Sequence, residues 1–208
     1  MIHKMEGGFV KESGYYHWVF RTWPLWLLGF FAVVFSLLGG PSSPALRYER
    51  VAVLAGEWWR LLSGNLVHLG IAHLLLNLAG LALIGWIFGP GLRAAHWLWV
   101  LLGSGIAIGV GFLLLNPELA WYVGLSGVLH GLLLGAAVLD RGYDRRLRIV
   151  LILGVFAKLA WEQWAGALPF TAEAAGGPVV VDAHLYGAIG GLLAGILLAL
   201  RERRAGPV

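Results

Sequence analysis

Six long apolar runs constrain this chain more than any other feature. They extend from Pro24 to Leu38, Ile71 to Phe88, Ala94 to Leu115, Tyr122 to Leu139, Ile149 to Ala165 and Ala183 to Leu200. A helix needs about 20 such residues to cross the hydrocarbon layer of a bilayer, and a soluble domain of 208 residues has no use for six of them. With 59% hydrophobic and 12% charged residues, the chain is expected to be an all-α integral membrane protein. A single domain, residues 1–208, is expected to form a bundle of six transmembrane helices.

The first run is short unless it extends backward through Trp18 and Arg21, where Tyr15, Tyr16, Trp18, Trp23 and Trp26 would form an interfacial aromatic belt. No small-residue cleavage pattern follows it, so it is expected to remain as an uncleaved anchor, with the mature chain beginning near Met1. Basic residues set the orientation, because cytoplasmic loops are enriched in them. Lys4, Lys11 and Arg21 precede the first run, Arg93 follows the second, Arg141, Arg145, Arg146 and Arg148 follow the fourth, and Arg201, Arg203 and Arg204 follow the sixth. The opposite side holds only Arg47, Arg50 and Arg60. Both termini are therefore expected in the cytoplasm. The net charge of +4 then calls for no nucleic acid partner; anionic lipid headgroups suffice. Without cysteine the chain has no disulfide, thiol nucleophile or thiolate metal site, and no metal or cofactor is expected.

Polar side chains at membrane depth are costly and usually face the bundle interior or a wet cavity. Here they are few: Ser63, Asn65, His68, His73 and Asn77 around the start of the second run, Ser126 and His130 in the fourth, Lys158, Glu162 and Gln163 in the fifth, and Asp182 and His184 at the sixth. The proposed topology puts nearly all of them in the outward half of the bundle. Ser126 and His184 are the pair with chemistry to offer, since a hydroxyl becomes a nucleophile when a neighbouring imidazole takes its proton. They lie on different helices, which must approach closely. Gly127, Gly131 and Gly135 recur every four residues in the fourth run, and Gly187, Gly191 and Gly195 do so in the sixth. Such stripes let two helix backbones touch in lipid, although each glycine costs about 1 kcal/mol of helix propensity relative to alanine. A stripe of this kind also serves plain packing, and periodicity alone leaves packing and catalysis equally open.

Acyl transfer also needs donors for the oxyanion, each worth about 2.7–4 kcal/mol of barrier. His73 and Asn77 are spaced i, i+4 and project from one face of the second run; the alternative is an asparagine that ties helices together beside a packed histidine. Asp182, two residues from His184, faces elsewhere on the helix and is expected as the N-cap of the sixth span. In the long first loop, Trp58 and Trp59 are expected at headgroup level, with the Arg60 guanidinium bonded to loop carbonyls.

Taken in order, Trp59-Arg60, "HLGIAHLLLN" (68–77), "GLSG" (124–127) and "AHLYGAIGG" (183–191) resemble the rhomboid intramembrane serine proteases over essentially all six spans. The resemblance implies a rhomboid-like bundle, Ser126 as nucleophile, His184 as general base, and His73, Asn77 and the Ser126 N–H as oxyanion donors. It also implies a dyad without a carboxylate, at the outer (periplasmic) side of a bacterial inner membrane. Many rhomboids carry an aromatic residue one turn after the serine; this chain has His130, expected to stack on His184, bond to it or face water, or else to be a passive buried imidazole. His68 is expected as a second orienting group. "GLSGVLHG" (124–131) and "KLAWEQ" (158–163) are most similar to rhombosortases, rhomboids that process exported proteins at a C-terminal Gly-Gly, hydrophobic-helix, basic-tail signal. The implied partners are such a membrane-anchored substrate and the bilayer. Lys158 and Glu162, at i, i+4, have two readings: an ion couple paired with itself, or a substrate-access site beside the nucleophile. A non-catalytic rhomboid-like binding protein is the rival reading, but such relatives lack the serine or the histidine. A small transporter would show two related halves, and none is visible.

Overall fold

A computed structural model describes residues 6–39 and 43–205, with side chains from Trp18 to Leu38 and from Ser43 to Ala205. The expectations attached to Lys4, Lys11, Tyr15 and Tyr16 lie outside the described side chains. In chain order the elements are α1 (Glu6–Gly39), β1 (Tyr48–Glu49), α2 (Arg50–Leu54), α3 (Arg60–Ser63), α4 (Ile71–Phe88), α5 (Ala94–Leu115), β2 (Trp121–Tyr122), α6 (Ser126–Leu139), α7 (Arg145–Ala165), α8 (Thr171–Ala175) and α9 (Val181–Ala205).

Six long helices form a membrane bundle. Four contain stretches long and apolar enough to cross a bilayer: Trp18–Leu38, Ile71–Phe88, Ala94–Leu115 and Val181–Ala205. The first of these includes Trp18 and Arg21, within the longer helix α1. The helix α6, at 14 residues, is about 21 Å long at 1.5 Å per residue, shorter than a full crossing. The helix α7 has the length, but three arginines in its first turn and Lys158 and Glu162 farther along reduce its hydropathy. Large apolar side chains such as Leu75, Trp86, Leu114 and Leu197 point outward, as a lipid-facing surface requires.

The fourth run does not become one helix from Tyr122. Tyr122 instead pairs with Tyr48 in a two-residue antiparallel ladder, and Gly124 takes φ +133°, which no helix permits. The Gly124 N–H donates to Gly64 O at 3.1 Å, and the Tyr122 hydroxyl donates to Gly124 O at 2.5 Å. Tyr48, Phe112 and Tyr122 pack around this segment in tilted and edge-on contacts, with centroids 5.2 and 4.8 Å apart. The chain is thus pinned immediately before Ser126, which becomes the first residue of α6. The fifth helix begins earlier than its apolar run, because the Asp144 carboxylate caps it by accepting from the Leu147 N–H at 2.9 Å.

At the centre, α6 lies against α9, and these two share the most extensive helix contact, followed by α5 with α9. The glycine stripes form that seam. A Cβ on Gly127 would fall 2.6 Å from Ala183 O, and one on Gly135 2.8 Å from Gly191 O. From the other side, a Cβ on Gly195 would fall 2.9 Å from the Gly135 Cα. Backbone meets backbone, with no room for a methyl group. A second seam, missed by the sequence reading, joins α5 to α9, where a Cβ on Gly103 would lie 2.8 Å from the Ala194 Cβ.

Gly131→Val would drive a side chain into Ser104 Oγ and Gly187 O and is expected to destabilise by about 1–3 kcal/mol or more. Gly154→Ala places its methyl where nothing lies within 4 Å and is expected to be neutral, or stabilising by up to ~1 kcal/mol. Thermal unfolding of both purified variants in one detergent checks the pair.

Candidate functional site

Ser126 opens α6, so its backbone N–H is one of those that helical geometry leaves without an intrahelical acceptor. Its Oγ lies 2.9 Å from His184 Nε2 on α9. The seam places them so: Gly127 follows the serine, Ala183 precedes the histidine, and the two meet backbone to backbone. His184 is 5% exposed, so the contact lies inside the bundle.

The other nitrogen of the same ring is not left to solvent. His184 Nδ1 is 2.9 Å from Glu162 Oε2 on α7, and Lys158 Nζ donates to Glu162 Oε1 at 2.6 Å. Lys158 Nζ also lies 3.3 Å from His184 Nδ1. Glu162 is 2% exposed. The carboxylate-free dyad implied by resemblance is therefore not what the geometry shows, and Glu162 does not line an open access route. The Lys158–Glu162 ion couple forms, and its second oxygen reaches the histidine. Lys158 does face a groove, of about 520 Å³ between α4, α6 and α7, which His130 also lines.

His130 stacks on His184, with centroids 4.4 Å apart and planes inclined by 21°. Its Nδ1 lies 2.7 Å from Ser126 O; a carbonyl only accepts, so that nitrogen carries the proton. His130 is thus anchored by its own helix and presents its face to the His184 ring. The stacked arrangement forms, and the same ring also lines the groove shared with Lys158.

His73 lies on α4, facing the segment just before the serine. The Leu69 N–H donates to His73 Nδ1 at 3.4 Å, which in a neutral ring leaves the proton on Nε2. That nitrogen would be 3.3 Å from a Cβ on Gly124, so a donor is directed at the start of α6. Asn77, 4% exposed, gives one amide hydrogen to His73 O at 2.9 Å and retains a second. His68 packs edge-on against His73 at 5.0 Å with its Nδ1 3.1 Å from Ser36 Oγ. Burial pushes the His68 imidazole down to about 3, so it stays neutral. Its contact with the site is therefore made through His73 rather than through His184.

Asp182 is not a helix cap. The helix α9 begins one residue earlier, at Val181, and the Asp182 carboxylate accepts from Asn116 Nδ2 at 2.6 Å. Tyr186 donates to the other end of the same Asn116 amide at 2.8 Å, which ties α9 to the end of α5. Arg60 donates to Pro44 O at 2.5 Å and Arg47 O at 3.1 Å and holds the first loop. Trp58 and Trp59 are more than half exposed. The connector from Leu168 to Val181 contains the short α8, which rests against α4.

His130, Glu162 and His184 offer ligand atoms within 4.8 Å of one another, the one such cluster among the described residues. Both Glu162 oxygens are already engaged, and stacked imidazoles direct their in-plane lone pairs side by side instead of toward a common point. The arrangement fits proton transfer better than metal ligation.

Residues 55–201 match the Rhomboid domain family. YdcA of Bacillus subtilis (strain 168), a protein assigned as a rhomboid protease, is 38% identical over 82 residues, 39% of this chain and 41% of that protein. The rhomboid protease GluP of the same organism is 32% identical over 85 residues, 41% of this chain and 16% of its own. The matched segments thus span less than half the length of both relatives.

Gly124→Ala combines a strained φ of +133° with a Cβ 2.9 Å from the His73 ring and is expected to cost about 1–3 kcal/mol. Gly56→Ala, at φ +106° in open space, carries only the conformational part. Comparison of their thermal midpoints with that of the parent protein separates the two contributions.

Proposed function

This chain belongs to the rhomboid family, and from that membership and the site geometry we propose that it is an intramembrane serine endopeptidase. The observation that carries the reading is the 2.9 Å contact between Ser126 Oγ and His184 Nε2.

The chemistry proceeds as acyl transfer. Ser126 Oγ bonds to the scissile carbonyl carbon while its proton passes to His184 Nε2 and the carbonyl π electrons move to oxygen. The Ser126 N–H, the His73 Nε2–H and the free Asn77 amide hydrogen receive the resulting oxyanion. His184 then protonates the leaving nitrogen as the C–N bond breaks. Water repeats the sequence on the acyl-enzyme and releases the second product. The His73 tautomer set by the Leu69 N–H supports this assignment, because it leaves the donor on the nitrogen nearer Gly124.

A transmembrane helix hides its carbonyls in internal hydrogen bonds, so the substrate must unwind around small residues. We place its lateral approach beside α7, where the groove shared with α4 and α6 is lined by His130 and Lys158. The distribution of Lys and Arg supports cytoplasmic termini and a site opening on the periplasmic side of a bacterial inner membrane. Within the family, "GLSGVLHG" and "KLAWEQ" support a rhombosortase, with exported proteins bearing a C-terminal Gly-Gly, hydrophobic-helix, basic-tail signal as substrates. A non-catalytic binding role is disfavoured because both Ser126 and His184 are present and in contact.

Coexpression with a tagged protein carrying such a signal, beside a generic single-span membrane substrate, tests both levels. Wild type is expected to cleave the first, and Ser126→Ala or His184→Ala to reduce the rate by at least about a thousandfold. Cleavage surviving either substitution removes the dyad. Cleavage of the generic substrate alone removes the sorting-signal specificity and leaves the protease.

A further inference from the structure

We infer that Glu162, held by Lys158, is a positioning residue that orients His184 and makes the site a Ser–His–Glu triad. The inference rests on the protease reading above and adds a third group that the resemblance does not supply.

Three contacts carry it. His184 Nδ1 faces Glu162 Oε2 at 2.9 Å, and a carboxylate only accepts, so Nδ1 carries the hydrogen. In a neutral ring the opposite nitrogen, Nε2, is then bare, and Ser126 Oγ lies 2.9 Å from it. The carboxylate thus selects the tautomer that takes the serine proton. The wrong tautomer would present N–H to the hydroxyl and perform no base chemistry. The third contact is Lys158 Nζ on Glu162 Oε1 at 2.6 Å, which directs one oxygen toward lysine and leaves the other for histidine. Lys158 and His184 Nδ1, 3.3 Å apart, are both donors in this state, so that approach is a geometric consequence of sharing one carboxylate.

The charge balance agrees. When Nε2 takes the proton, His184 becomes a cation at a buried position. Lys158 from α7 already places a positive charge beside it, His130 from α6 and His73 from α4 are imidazoles that bring no negative charge, and Asp182 on its own helix is bonded to Asn116. Glu162 is the carboxylate in contact with the ring. No atom of Glu162 changes its bonding during the reaction: the proton stays on Nδ1, and the transferred proton moves only between Ser126 Oγ, His184 Nε2 and the leaving nitrogen.

A topological ion couple would also bury Glu162 beside Lys158, so the test must separate the two roles. Purified wild type, Glu162→Gln, Glu162→Asp and the double variant Lys158→Met/Glu162→Met are compared for cleavage of one substrate and for the rate of Ser126 labelling by a fluorophosphonate. The double variant leaves no ion buried alone and is expected to fold. The positioning role predicts that Glu162→Gln and the double variant lose about a hundredfold or more in kcat and in labelling rate, and that Glu162→Gln keeps KM within about twofold of wild type. Glu162→Asp, which keeps the charge, falls between them and wild type. A double variant that retains wild-type kcat and labelling overturns the inference while leaving the protease reading intact. A wild type that neither cleaves nor labels, under conditions where a known serine hydrolase labels, overturns both.

Discussion

The structure depends on the direct backbone contact between α6 and α9. Lipid supplies no hydrophobic drive for helices to associate, so they must gain by fitting closely. Gly127, Gly131 and Gly135 meet Gly187, Gly191 and Gly195 along a line where even a methyl group has no space. The separation that results is what lets a side chain as short as serine reach an imidazole on the next helix. Any residue larger than glycine in this seam moves Ser126 away from His184 before it alters either residue.

That seam positions two residues; the end of the bundle that carries the first loop positions their surroundings. The Tyr48–Tyr122 ladder, the Gly124 N–H on Gly64 O and the Tyr122 hydroxyl on Gly124 O all act on the few residues preceding Ser126. They hold the start of α6 against His73 and leave the serine N–H unbonded within its own helix. Asp182, Asn116 and Tyr186 do the corresponding work for α9. Polar side chains at this depth are thus divided between anchoring the helices and forming the Ser126–His184 contact.

Much of this was legible in the sequence. Six apolar runs gave the bundle, the two stripes gave the seam, and the i, i+4 spacing of His73 and Asn77 gave their shared face. The misreadings have a common cause. Tyr122 was joined to the fourth helix because hydropathy does not register a glycine at positive φ or a two-residue ladder formed with a distant segment. Asp182 looked like a cap because a cap is a local pattern, whereas its partner Asn116 lies 66 residues away. Glu162 was singled out through its spacing from Lys158, but spacing along one helix says nothing about which neighbouring helix a side chain faces. Its contact with His184 depends on how α7 is rotated against α9, a tertiary quantity with no local signature.

The helix that supplies the carboxylate is also one wall of the groove. Val150, Leu151, Gly154, Val155 and Lys158 line it, and the lining ends one turn before Glu162. The groove lining and the carboxylate contact therefore occupy successive turns of α7. A hydrogen bond of 2.9 Å weakens sharply beyond about 3.2 Å, so a uniform outward shift of α7 by even an ångström would part Glu162 from His184. A tilt about the Glu162 end has a different effect: it widens the groove at Val150 and Leu151 while the carboxylate keeps its place. Of these two motions, only the tilt widens the groove while Glu162 stays in contact with His184.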